Sequence, residues 1–231
     1  MEFFETVRAR RSIRKFTTRD VPDEVIEKAL DAAILAPNSS NVQTWDFYWV
    51  RSENKKSELI QACLAQSAAR TARELLVVVA DPQLWKRSQE PLVRFVREVQ
   101  APKLVQLYYE KLIPITYRSG ILNVLGWMKW TVSTATGWFR PITRGPHFQR
   151  DLEEVAIKSA ALASENFVLA IRAQGFATCM MEGFDEIRVK RLLGLPRSSR
   201  VVMVIAIGEE ADRGTWGPQF RLPREAVIHR V

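Results

Sequence analysis

"RDLEEVAIKSAALASENFVLAIRAQG" (residues 150–175) decides the fold. It reads as the longest helix of the chain: carboxylates crowd its first turn, where the helix dipole favours them, and Gly175 stands where a helix ends. Ala156, Ala160, Ala161 and Ala163 leave room for a second helix to approach closely. Downstream, "FATCMMEGF" (176–184) predicts a strand and turn, "DEIRVKRLLGL" (185–195) a helix and "RVVMVIAIG" (200–208) a buried strand. Upstream, "RDVPDEVIEKALDAAILAP" (19–37) predicts a helix with Asp20 as its cap, Pro22 in the first turn, an apolar face of Ile26, Leu30 and Ala33, and a stop at Pro37. "WDFYWVR" (45–51) and "LLVVVAD" (75–81) predict strands, with helix over 54–70 between them. "EFFETVRAR" (2–10) predicts a short amphipathic helix, and "EAVIHRV" (225–231) a last extended piece.

Interleaved strands and helices around apolar central strands imply an α+β fold, one sheet covered by helices. No linker or repeat divides the chain, so a single domain over 1–231 is expected. Residues 82–149 form a long excursion that carries Trp127, Trp130 and Trp138. Insertions of that length serve as lids, binding regions or partner surfaces. Within it, residues 120–139 come nearest to a membrane span, but glycine, serine, threonine and asparagine dilute them too far for one.

A net charge of +8 makes anions the expected partners. Cys63 and Cys179 form no CxxC pair, and the charged N-terminus has no signal-peptide core, so a reducing, cytoplasmic setting is expected. There is no GxGxxG, P-loop, HExxH or GxSxG pattern, and His147 and His229 read as ordinary surface or loop residues. No metal site is expected.

Four polar clusters remain, each at an element boundary. "RRSIR" (10–14) offers guanidinium groups that grip phosphate bidentately, with the Ser12 hydroxyl beside them. "APNSSNVQTW" (36–45) is rich in donors for a heteroaromatic ligand, or else a turn that satisfies its own backbone. "MEGF" (181–184) ends a strand in a glycine that lets main chain approach a flat ligand, and "FRLPR" (220–224) is a second basic site.

Together, in this order, "RRSIRKF", "APNSSNVQTWDF", "MEGF" and "RLP" resemble the FMN-dependent nitroreductases over roughly residues 3–81 and 150–231. The resemblance implies a mostly antiparallel mixed sheet wrapped by helices in an intertwined homodimer. It implies FMN held by Arg10, Arg11 and Ser12 at the phosphate, joined by Arg221. Arg14 would lie at the flavin pyrimidine, with Asn38, Ser39, Ser40, Asn41 and Gln43 contributed partly by the other subunit. Met181, Glu182 and Gly183 would stand at the flavin N5, and Arg70 loosely at the pyrimidine edge. A cation at that edge raises the flavin's two-electron potential. NAD(P)H would serve as transient donor to a flat electron-poor acceptor, a nitroaromatic or quinone, in ping-pong order with no obligatory side-chain acid or base. Thr44 and Gln219 depart from the family pattern, where proline and a cation are common. Dehalogenation or substrate oxidation on the same fold are alternatives. So is a basic protein without redox function that docks on a membrane through 112–139, while nucleic acid is the less expected partner.

Overall fold

Apolar side chains alternate across the two central strands, and that alternation builds two cores. The computed structural model describes residues 1–118, 120 and 123–231. In chain order its helices are α1 (Phe3–Ala9), α2 (Asp23–Ile34), α3 (Glu53–Ala62), α4 (Ser67–Thr71), α5 (Trp85–Glu98), α6 (Lys103–Leu107), α7 (Ile113–Tyr117), α8 (Val124–Thr136), α9 (Gln149–Ala173) and α10 (Glu186–Leu193). Its strands are β1 (Trp45–Trp49), β2 (Glu74–Ala80), β3 (Ala177–Met181) and β4 (Arg200–Gly208).

Leu76 and Val78 of β2 and Ile205 and Ile207 of β4 face one side, against α2 and α9. Leu75, Val77, Val79, Val204 and Ala206 face the other, against Leu59, Ala62, Ala68, Ala69 and Val189 from α3, α4 and α10. With both faces covered, each central strand reads as an unbroken apolar run although its neighbours are antiparallel. The strand order is β1-β2-β4-β3, with Phe47 opposite Val78, Val77 opposite Val204 and Cys179 opposite Ala206. Ser12 bridges Thr178 in parallel along the outer edge of β3, so the arrangement is mixed and mostly antiparallel. Helix α9, 25 residues and roughly 37 Å long, buries Ala156, Ala160 and Ala163 in the same core as Ala29 and Ala33 of α2. The alanine run thus permits the close helix pair it predicts.

The excursion makes a small core of its own: Trp85, Leu92, Ile113 and Tyr117 close on Val42 and Leu152. Among the described residues no helix is long and apolar enough to cross a membrane.

Four local expectations are corrected. The helix over 54–70 breaks into α3 and α4, because Leu64 and Ala65 take positive φ and turn the chain back. Asp20 does not cap α2; it pairs with Arg73, and Pro22 occupies the cap position without a side-chain bond. His147 is buried, its Nε2 3.0 Å from Ser133 Oγ. Residues 225–231 form no strand: an extended piece needs a neighbour for its main chain, and this exposed tail has only the short 3₁₀ turn Arg224–Ala226.

Candidate functional site

The basic segment is clamped at a corner of the sheet. Ile13 N donates to Thr178 O (2.9 Å), Arg14 N to Gly214 O (2.7 Å) and Phe16 N to Thr71 Oγ1 (3.1 Å). An extended chain alternates its side chains, so burying Ile13 leaves its neighbours Ser12 and Arg14 on the opposite side, half-buried. Arg11 Nη2 donates to Gly217 O (2.6 Å). Arg14 Nη1 donates to Ser12 O (3.1 Å), and its guanidinium stacks 3.9 Å from the ring centre of Trp216. Arg10 Nε lies 3.7 Å from Glu165 Oε1. Among the described residues Glu165 is the one carboxylate paired with any of the three, so most of their charge is unneutralised. Burial pushes the thiol of nearby Cys179 up, with Arg14 pulling weakly the other way, which leaves it protonated and no nucleophile.

The "MEGF" turn ends the same strand, beginning three residues beyond Thr178. Met181 is buried at the end of β3, while Glu182 and Gly183 are exposed. Gln66 Nε2 donates to Gly183 O (2.6 Å) and to Cys63 O (3.0 Å) and so pins the turn to the start of α4. A Cβ on Gly183 would come within 3.1 Å of that amide nitrogen, so glycine keeps the backbone open here.

The loop 38–43 is built elsewhere. Asn38 Oδ1 accepts from Gln43 N (2.9 Å), and Ser40 Oγ lies 2.5 Å from Tyr108 OH in the excursion. Ser40, Asn41 and Gln43 hold φ of 56°, 52° and 49°, a left-handed backbone that side chains adopt at a cost and that clusters at functional sites. Asn41 and Gln43 line a cavity of about 450 Å³ with Arg87, Ser88, Pro91, Leu92 and Phe95. Tyr117, beneath this loop, is pushed up to about 12 by burial, against a hydrogen bond from Ser39. Ser39 N donates to Ser159 Oγ (3.4 Å). Ser159 and Glu165 are six residues apart on α9, so the loop and Arg10 reach that helix about 9 Å apart along its axis and on different faces.

The chain therefore lays Arg10, Arg11, Ser12 and Arg14 along the edge of β3, whose far end carries Met181, Glu182 and Gly183, and anchors the loop 38–43 on α9 away from Arg10. Arg70 lines a cleft with Arg51, Lys56, Arg73 and Glu74. Arg221 is exposed on the tail and donates to its neighbour's carbonyl, Phe220 O (2.7 Å). Gln66, Tyr108 and Trp216 touch the candidate residues and are not singled out by the sequence. For Gln66 no signal existed, because its placement follows from the Leu64–Ala65 reversal; Tyr108 and Trp216 stand out only as aromatics.

The family model described as the nitroreductase family matches residues 7–209. MhqN of Bacillus subtilis is 28% identical over 223 residues, covering 96% of this chain and 95% of that one. Among solved structures, an Exiguobacterium sibiricum protein in complex with FMN superposes with a TM-score of 0.74 at 23% identity, covering 100% of this chain and 98% of that one. The NADPH:FMN oxidoreductase of Vibrio harveyi, complexed with NAD+, gives 0.65 at 22%, covering 99% and 76%. Fold, motif order and family match agree: the chain belongs to the nitroreductase family.

Proposed function

We propose that the protein is a homodimeric FMN oxidoreductase that uses NAD(P)H to reduce a flat electron-poor acceptor, a nitroaromatic or quinone. The observation that carries this reading is the basic edge itself: three guanidinium groups with a single paired carboxylate, a hydroxyl among them, and an exposed glycine turn at the end of β3. Those donors fit an FMN phosphate and the open backbone fits a flat ring.

FMN bound there would supply two-electron redox chemistry between a nicotinamide and the acceptor. The chain's residues bind and orient. Arg10, Arg11 and Ser12 hold the phosphate, Arg14 places its charge at the electron-rich edge of the ring system, and Glu182 and Gly183 offer main chain to the ring. Gln66 fixes that turn. Neither buried thiol serves as a base, since burial raises both Cys63 and Cys179.

The loop 38–43 completes the site from the second subunit, a reading supported by its separation from the basic corner within one chain. The tail supports it too: Trp216, Phe220, Leu222 and Val227 are exposed apolar side chains of the kind a partner covers, and Arg221 travels with them. The test is reconstitution: apo protein titrated with FMN should quench its fluorescence stoichiometrically, and double-reciprocal plots with NADPH and a quinone should be parallel. A protein that takes up no FMN sinks the proposal, and intersecting lines sink the ping-pong order.

A further inference from the structure

Helix α8 is inside out. It buries Gly126 and Ser133 and half-buries Lys129, three residues spaced to share one face. A Cβ at Gly126 would meet His147 O at 2.7 Å, Ser133 Oγ is 3.0 Å from His147 Nε2, and Lys129 Nζ donates to Thr116 O (2.9 Å) and Arg118 O (3.1 Å). The helix thus docks through its small and polar residues. Its large apolar ones, Val124, Trp127, Met128, Trp130 and Val132, are 44–62% exposed, and Trp138 and Phe139 just beyond are 76% and 87% exposed. A helix of a water-soluble domain does the opposite.

The stretch that carries this face is basic, with Glu110 and Asp151 at its two borders and Lys129 turned inward to carbonyls. From Lys111 to Arg150 the sequence has six cations (Lys111, Arg118, Lys129, Arg140, Arg144 and Arg150) and no Asp or Glu. A second copy docked α8 against α8 would set two such stretches against each other, which like charge opposes; a copy meeting α8 with another surface is the outcome the sedimentation test below distinguishes. An anionic lipid surface meets both requirements: headgroups for the arginines, and the acyl boundary for tryptophans and aliphatics. Beside the face an open cavity of about 570 Å³ combines apolar Leu112, Ile115 and Ile142 with Arg118, Lys129 and His147.

We infer that the α8 face is a docking surface for anionic membranes, on which the protein sits peripherally. The inference is independent of the flavin chemistry. It is tested by co-sedimentation of the full chain with vesicles of phosphatidylcholine alone or mixed with phosphatidylglycerol, at low and high salt, alongside sedimentation velocity without lipid. Binding to the mixed vesicles, weakened by salt, is expected. Trp138→Ser with Phe139→Ser should abolish it while the melting temperature holds, Arg140→Ser should weaken it roughly fivefold, and Leu35→Ser, exposed elsewhere, should leave it unchanged. If the double variant melts differently, Arg140→Ser alone decides. Absence of binding at low salt overturns the inference, as does binding that the double variant retains. Dissociation of a dimer by the double variant also overturns it, since the face would then belong to a second copy.

Discussion

Removing Arg10 and Arg11 together separates ligand binding from folding. In the folded chain neither arginine contributes much: Arg10 is 3.7 Å from Glu165, whose side chain is 47% exposed, and such pairs are worth about 0–1 kcal/mol. Arg11 makes one exposed bond to Gly217 O, worth about 1 kcal/mol. These two contacts of the double variant Arg10→Ala/Arg11→Ala therefore account for about 2 kcal/mol of stability, to which the stem of Arg10, only 19% exposed, adds a packing loss. Against a phosphate each guanidinium makes charge-assisted bonds of roughly 1.5–3 kcal/mol, so together they account for about 3–6 kcal/mol of FMN affinity. That corresponds to a Kd raised roughly 10² to 10⁴-fold. Flavin fluorescence titration gives the Kd, and a thermal melt of the apo protein gives the stability. A variant that melts normally and binds FMN within about fivefold of the parent would refute the phosphate assignment, because so small a change is about 1 kcal/mol.

Further outcomes follow from the same geometry. Arg14→Ala should leave FMN bound but lower its two-electron potential by on the order of 30 mV, about 1.4 kcal/mol, read by dye equilibration; an unchanged potential removes its tuning role. Ala160→Leu should overpack the α2–α9 seam by about 1–3 kcal/mol and lower Tm by several degrees in a calorimetric scan, and an unchanged Tm would mean the helices are not in close contact. Asp151 accepts from His147 N (2.9 Å) and Phe148 N (3.1 Å) at the start of α9. Burial raises its pKa, but those bonds and the charges of His147 and Lys129 outweigh burial and hold it below 3.8. Its contribution is therefore present above pH 3.8 and is lost as pH falls through the lower folded value. Asp151→Asn should destabilise by a constant amount near neutrality, with the difference shrinking below that pH in urea titrations; a difference that persists in acid would contradict the cap.

The sheet and its long helices were legible because their signals are local and redundant. The aliphatic runs of β2 and β4 and the alanine stripe of α9 each have one compact solution. Arg10–Arg14 and Met181–Gly183 stand out in the sequence as candidate groups, and the bridge between Ser12 and Thr178 sets the first along the strand that ends in the second. What stayed hidden depends on tertiary geometry. Gln66 reaches Gly183 only because Leu64 and Ala65 adopt positive φ, which neither residue type favours. His147 looked like a loop residue because its burial depends on α8, whose Gly126 and Ser133 make room for it. Asp20 carried a cap signature, yet Arg73 from a distant part of the chain takes its carboxylate.

The most direct test of the central claim is an anaerobic absorbance spectrum of the FMN-reconstituted protein, recorded before and after stoichiometric NADH or NADPH and again after a quinone is added. The account predicts flavin bands that bleach with a nicotinamide and return with the quinone. Bands that neither nicotinamide bleaches, in protein that holds its flavin, would contradict it.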